Sequence, residues 1–116
     1  MVSLMIVDDS DEIRRMLRSL VAGLADPIYE CRDGEAARAA YGIHQPDWVF
    51  MDVSMEPMDG ITATRQIIQT FPMARIVIVT QYDDVRLRRT AEEAGACGYV
   101  LKENLIDVRR FLEAPT

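Results

Sequence analysis

Lysine, cysteine and histidine are scarce in this chain, and a long hydrophobic run is missing. Lys102 is the only lysine, the other twelve bases being arginine. The two cysteines, Cys31 and Cys97, have neither metal-ligand spacing nor the density of a disulfide scaffold. They are therefore expected as reduced thiols in the core of a cytoplasmic protein. No apolar stretch approaches membrane-spanning length, and strand-like residues begin almost at Met1 with no leader before them, so a cytoplasmic chain without membrane contact is expected. Bases are outnumbered, 13 against 19 acids, for a formal charge of −6. That balance disfavours a nucleic-acid backbone or an anionic membrane as a direct partner and favours cations and basic partner patches. Internal repeats and low-complexity segments are also absent.

What is present is enough for one core. With 116 residues, 49% of them hydrophobic, the chain is expected to form a single domain over 1–116 that buries about two-thirds of its unfolded surface. Leu4 to Val7 is a short apolar run, followed at once by Asp8, Asp9, Ser10, Asp11 and Glu12. Ile13, Met16, Leu17, Leu20, Val21 and Leu24 recur at helical spacing, with Ser10 or Asp11 as the cap. Ile28 to Cys31 alternates as an edge strand would. Asp33 caps a helix from Gly34 to Tyr41, which Gly42 is expected to end.

Trp48 to Met51 is an unbroken apolar run between Pro46 and Pro57, and it delivers Asp52 to its end. A parallel strand buried on both faces reads this way. Asp59-Gly60 then opens a helix with Ile61, Thr64, Ile68 and Phe71 on one face, closed by Pro72. Ile76 to Val79 is the most strand-like run and ends on Thr80. Asp83 or Asp84 caps a helix to Ala94, stopped by Gly95, whose few apolar positions are Leu87, Ala91 and Ala94. Tyr99 to Leu101 is a fifth short strand ending on Lys102. Asn104 opens a last helix with Leu105, Val108 and Leu112 inward, until Pro115 stops it.

Five strands alternating with five helices predict an α/β, doubly wound sandwich of the flavodoxin-like (βα)5 kind, with parallel sheet order 2-1-3-4-5. That order makes the first and third strands neighbours. Asp8, Asp9 and Asp52 then converge on one crevice, flanked by Thr80 and Lys102. Taken singly these residues are capping and helix-start types; it is their convergence that points to a site.

The ordered set resembles the receiver domain of a two-component response regulator across essentially all 116 residues. The matching features are the acidic pair Asp8 and Asp9, Asp52 after the third strand, Met55 through Met58-Asp59-Gly60, Thr80 after the fourth strand, and Gly98-Tyr99-Val100-Leu101-Lys102. The pattern is similar to chemotaxis receivers, and its last segment to receivers that carry helix-turn-helix output domains. The resemblance implies that Asp52 accepts a phosphoryl group from a histidine kinase or a histidine phosphotransfer protein. It implies Mg²⁺ (or Mn²⁺) held by the carboxylates of Asp9 and Asp52 and the main-chain carbonyl of Ser54, with Asp8 helping through a bound water. Oxygen ligands in an octahedral, partly hydrated set suit that cation. Lys102 and Thr80 would contact phosphoryl oxygens, and a compact lysine ammonium suits such point-charge contact. Tyr99 would be the aromatic switch coupled to Thr80. Ser54 and Tyr82 would flank the path of attacking water and so set the lifetime of the phosphorylated form. A changed face of the fourth helix, fifth strand and fifth helix would bind an unnamed output partner, the chain being a monomer or a weak phosphorylation-dependent dimer and no enzyme beyond its own phosphorylation and dephosphorylation.

Two departures stand out. Glu56 follows Met55 where receivers usually have proline, with Pro57 one place late, and Glu103 follows Lys102 where proline is common, so a trans bond is expected there. His44, the only histidine, is expected on the surface in a polar turn. Met51, Met55 and Met58 read as ordinary packing. A flavodoxin-type nucleotide binder would need a phosphate-cradling turn after the first strand, which here is acidic. An aspartate-dependent phosphatase would need an acid at Ser54. The remaining alternatives are a phosphorylation-independent adaptor with the same fold, or the excised receiver of a DNA-binding regulator.

Overall fold

The computed structural model describes residues 1–113. Five strands, β1 (Val2–Val7), β2 (Ala25–Cys31), β3 (Trp48–Met51), β4 (Ile76–Thr80) and β5 (Gly98–Leu101), alternate with helices α1 (Asp11–Leu20), α2 (Gly34–His44), α3 (Gly60–Thr70), α4 (Val85–Ala94) and α5 (Arg109–Glu113). A 3-10 segment, Lys102–Val108, joins β5 to α5. The sheet is parallel throughout, as the alternation predicted, and its order is the expected β2-β1-β3-β4-β5.

Strand side chains alternate between two faces, and each face builds its own core. Met5, Val7, Val49, Met51, Ile76 and Ile78 meet Ala37 and Tyr41 of α2, Ala63 and Ile67 of α3, and Ala91 and Ala94 of α4. Leu4, Ile6, Phe50, Val77, Val79 and Val100 meet Leu17 and Val21 on the α1 side, and Leu105 and Val108 of the 3-10 segment. The unbroken apolar run of β3 is thereby explained, since the strand is covered on both sides. Met51 and Met55 are buried, and Met58 packs against the same cluster.

Side-chain caps start four helices: Ser10 Oγ accepts from the Ile13 N–H, Asp33 from Ala36, Asp59 from Thr62, and Asp84 from Arg86 and Leu87. Ser10 and Asp84 thus resolve the two capping alternatives. α4 stops at Gly95, whose φ of 109° is the left-handed conformation glycine adopts freely.

Five expectations need correction. α2 runs through Gly42 to His44, because burial of Tyr41 against Phe71 holds that end down and Gln45, at φ 42°, supplies the left-handed cap. β2 begins at Ala25, three residues earlier than its alternation suggested. The last helix is broken: Asn104, at φ −126° and ψ 47°, leaves helical space, and α5 proper starts only at Arg109. Cys97 is exposed at the entry to β5, while Cys31 is buried as expected. His44 is on the surface, in the last turn of α2 rather than in a turn, its ring stacked 4.0 Å from that of Tyr29. Pro115 lies outside the described residues.

Candidate functional site

The ladders of β1 and β3 extend one residue past each strand. The Asp8 N–H donates to the Cys31 carbonyl at 3.1 Å, and the Asp52 N–H donates to the Val7 carbonyl at 2.9 Å. Both acids are thereby seated on the rigid sheet at its carboxyl edge, 1% and 3% exposed respectively. Asp8 Oδ1 also accepts the Ser10 N–H at 2.9 Å. Asp9, next along the turn, is exposed. One carboxylate oxygen from each of Asp8, Asp9 and Asp52 lies within 4.8 Å of the others.

Lys102 reaches this cluster from the end of β5. Its Nζ is 3.0 Å from Asp8 Oδ2 and 3.2 Å from Asp52 Oδ1. Burial pushes the Asp52 carboxyl above the usual aspartate range, and the Asp8 charge pushes the same way, with Lys102 pulling back. Burial opposes the Lys102 charge, but the hydrogen bond to Asp8 and the attraction of Asp52 outweigh it, so the ammonium is held above its ordinary pKa. One cation against this many acids leaves the pocket short of positive charge. Three oxygen donors at this spacing fit a hard divalent cation, which takes carboxylate oxygens and keeps waters.

Thr80, at the end of β4, is buried, and its Oγ1 accepts the Tyr82 N–H at 3.3 Å. The Tyr99 hydroxyl donates to the Tyr82 carbonyl at 2.7 Å, so the backbone is held on both sides of the Tyr82 Cα. Arg88 of α4 lies over the Tyr99 ring, 4.3 Å from its centroid. Tyr82 itself is 46% exposed, so its ring does not close over the pocket in this arrangement. Ser54 lies with Asp9, Val53, Met55, Glu56 and Asp59 along an open groove beside the acids. The Glu56–Pro57 bond in that loop is cis, as is Asp26–Pro27, and Lys102–Glu103 is trans as expected.

Two further residues build the site: Gly60, in a role its reading as a helix start does not show, and Arg14, to which the sequence reading gives none. At Gly60 a Cβ would fall 1.8 Å from the Asp52 carbonyl oxygen, so only glycine lets α3 start this close behind Asp52. Arg14 donates to the Asp8 main-chain carbonyl at 2.6 Å from beneath the turn. Arg14 lies between the apolar positions Ile13, Met16 and Leu17 of the α1 stripe and is not one of them; nothing in that pattern signals the carbonyl.

Residues 4–113 match the family model described as the response regulator receiver domain. The chain belongs to this receiver family. The receiver is 36% identical over 112 residues to the chemotaxis protein CheY of Bacillus subtilis (strain 168), covering 96% of this chain and 92% of that protein. It is 30% identical over 117 residues to the transcriptional regulatory protein DegU of Brevibacillus brevis, covering 97% of this chain and 48% of DegU. The receiver thus spans about half the length of curated relatives such as DegU. Among solved structures it is similar to a two-component response regulator of the LuxR family from Aurantimonas sp. SI85-9A1, with TM-score 0.83, 33% identity and coverage of 96% and 84% of the two chains. A chain of the CheX–CheY–BeF3–Mg²⁺ complex from Borrelia burgdorferi shares the fold at TM-score 0.88 and 24% identity, covering 98% of this receiver and 90% of that chain. Receivers of two-component systems are typically phosphorylated, Mg²⁺-binding signalling modules, and the acidic cluster here is of a kind that could bind such a metal. Among the described residues no helix is long and apolar enough to cross a membrane.

Proposed function

We propose that this receiver is a phosphorylation-activated switch with Asp52 as phosphoacceptor. The observation that carries the reading is the convergence of Asp8, Asp9 and Asp52 within 4.8 Å, with Lys102 Nζ 3.2 Å from Asp52 Oδ1. An Asp52 carboxylate oxygen attacks the phosphorus of a phosphohistidine on a kinase or phosphotransfer protein; the P–N bond breaks, a P–O bond forms, and the imidazole takes up a proton. Asp9 and Asp52, with the Ser54 main-chain carbonyl, would hold Mg²⁺ or Mn²⁺, and Asp8 would act through water. When bound, the cation offsets the charge that otherwise repels an anionic donor. Lys102, released from its bridge between Asp8 and Asp52, would pair with a phosphoryl oxygen, and Thr80 would donate its hydroxyl to another.

A Thr80 side chain rotated toward the phosphoryl group would carry its Oγ1 away from the Tyr82 N–H. The clamp on the Tyr82 backbone weakens, Tyr99 is freed to change its position, and α4, buried only at Ala91 and Ala94, follows at low cost. The face of α4, β5 and α5 would then engage an output partner in the cytoplasm, with the receiver a monomer or a weak phosphorylation-dependent dimer. Ser54 offers no base to an attacking water, and Tyr82 would have to swing inward to shield the acyl phosphate. Tyr82→Ala, followed by phosphoform decay after donor removal, tests that part: an unchanged half-life excludes shielding.

Intact-mass analysis after incubation with acetyl phosphate and Mg²⁺ tests the whole. Wild type should gain one phosphoryl group, Asp52→Asn none, and EDTA should abolish the gain. Incorporation into Asp52→Asn would overturn the assignment of Asp52, and none into wild type would leave the phosphorylation-independent adaptor.

A further inference from the structure

The turn that carries Asp8 and Asp9 is held by a half-buried arginine. The Arg14 side chain is 11% exposed, yet it rises from the second turn of α1 with partners on three elements. One guanidinium nitrogen donates to the Asp8 main-chain carbonyl at 2.6 Å, Nε donates to Glu30 of β2 at 3.0 Å, and the remaining nitrogen pairs with Asp11 in the first turn of α1. Glu30 is itself held by Arg18, whose Nη2 is 2.8 Å from its Oε2. The Asp8 N–H is already taken by the Cys31 carbonyl. With Arg14 on its carbonyl, the backbone is held on both sides of the Asp8 Cα, and the peptide from Asp8 to Asp9 takes its direction from the Arg14 contact. Exposed Asp9 depends on that peptide for its aim into the cluster.

We infer that Arg14 is a positioning residue for the acidic pocket, setting the Asp8–Asp9 peptide so that both carboxylates meet Asp52 around a divalent cation. The inference rests on the metal-dependent phosphoacceptor reading, and it concerns a residue that touches neither cation nor phosphoryl group. Arginine suits the task because its planar fork reaches the carbonyl and two carboxylates at once; a lysine ammonium at the same place lacks the span.

Charge and position make opposite demands. A guanidinium near a cation site repels the cation, so if Arg14 acted only as a charge, Arg14→Gln would tighten metal binding and Arg14→Lys would leave it alone. As a positioning residue, its loss weakens binding in both variants.

The test is a Mn²⁺ titration read by the paramagnetic resonance of free Mn²⁺, on wild type, Arg14→Gln, Arg14→Lys and Arg18→Gln. Circular dichroism melts in EDTA accompany it, with binding compared only where each protein is folded. Affinity should fall about tenfold in Arg14→Gln, the scale seen when an outer partner of a metal ligand is lost. It should fall less in Arg14→Lys, and stay at the wild-type value in Arg18→Gln, which shares Glu30 but does not reach Asp8. Equal or tighter binding by folded Arg14→Gln overturns the inference, and so does an equal loss in Arg18→Gln, which would trace the effect to Glu30. If Arg14→Gln does not fold, Arg14→Lys decides, since wild-type affinity there overturns the inference as well. Wild type that binds no Mn²⁺ instead brings down the metal reading on which it stands.

Discussion

Lys102 Nζ lies 3.2 Å from Asp52 Oδ1 while also lying 3.0 Å from Asp8 Oδ2, so one ammonium spans the two buried acids at the end of the sheet. Lys102 therefore has a structural duty apart from the phosphoryl contact proposed for it. Removing it leaves two buried carboxylates without a cation, and protonation of Asp52 relieves only part of the cost. Lys102→Met should lose about 2 kcal/mol of stability in EDTA, and MgCl2 should restore part of it. Thermal melts with and without MgCl2 check this; a variant as stable as wild type in EDTA would contradict it.

Asp52 works in the opposite sense. Its carboxyl sits above the ordinary aspartate pKa because of burial and the Asp8 charge, so the folded state favours its protonated form. The stability this lends is complete below the unfolded pKa and is lost as pH rises through the raised value. At neutral pH the ionised group is therefore a cost, which Asp52→Asn removes. In EDTA at pH 7 that variant should exceed wild type by on the order of 1 kcal/mol. The gap should close as the pH falls below about 4, and MgCl2, by binding wild type, should narrow it at neutral pH. Melts across pH in the two media read it directly. A wild type more stable than Asp52→Asn at pH 7 in EDTA would show that the Lys102 contact outweighs burial.

The glycines separate local from tertiary causes. Gly42 lies inside α2 with nothing within 4 Å of where a Cβ would be, whereas at Gly60 the Cβ would collide with the Asp52 carbonyl. Gly42→Ala should stabilise by about 0.5–1 kcal/mol through the helix preference of alanine and the stiffer unfolded chain. Gly60→Ala should destabilise by about 3 kcal/mol or more, since backbone rather than a flexible side chain must give way. Denaturant midpoints of the two variants provide the measurement, and changes of the same sign in both would refute the distinction.

Gly42 and Gly60 also mark what could be read without coordinates. Hydrophobic period carries the strands, βα alternation makes the sheet parallel, and the order 2-1-3-4-5, which the receiver resemblance also implies, brings the acids at the ends of the first and third apolar runs onto one rim. Asp8, Asp9, Asp52, Thr80 and Lys102 were legible for that reason. What stayed hidden depends on distances between segments remote in sequence. Gly42 reads as a helix stop until Tyr41 is seen packed against Phe71. Gly60 reads as a helix start, without the Asp52 carbonyl behind it. Arg14 is one of twelve arginines until its guanidinium is found under Asp8. The break at Asn104 has no periodic signature, because Leu105 and Val108 are buried as they would be in a continuous helix.

Tyr99 tests the switch itself without phosphorylation. Its hydroxyl holds the Tyr82 carbonyl at 2.7 Å, Thr80 holds the Tyr82 N–H at 3.3 Å, and Arg88 covers the ring from α4. Tyr99→Phe keeps the ring, and with it the Arg88 contact, while deleting one of the two bonds on the Tyr82 backbone. A hydrogen bond of this kind contributes about 1 kcal/mol, which corresponds to a roughly fivefold change in a local opening equilibrium. Amides from Tyr82 to Leu87 should therefore exchange about fivefold faster in Tyr99→Phe by the same hydrogen-bond reckoning. Those of β1 and β3, which share no partner with Tyr99, should be unchanged. Hydrogen–deuterium exchange mass spectrometry resolves the two groups. Acceleration confined to the loop and the start of α4 supports a clamp built from Thr80 and Tyr99. No acceleration would mean that Asp84, capping α4 through Arg86 and Leu87, holds the loop by itself, and acceleration across the whole sheet would mean that Tyr99 serves global stability instead.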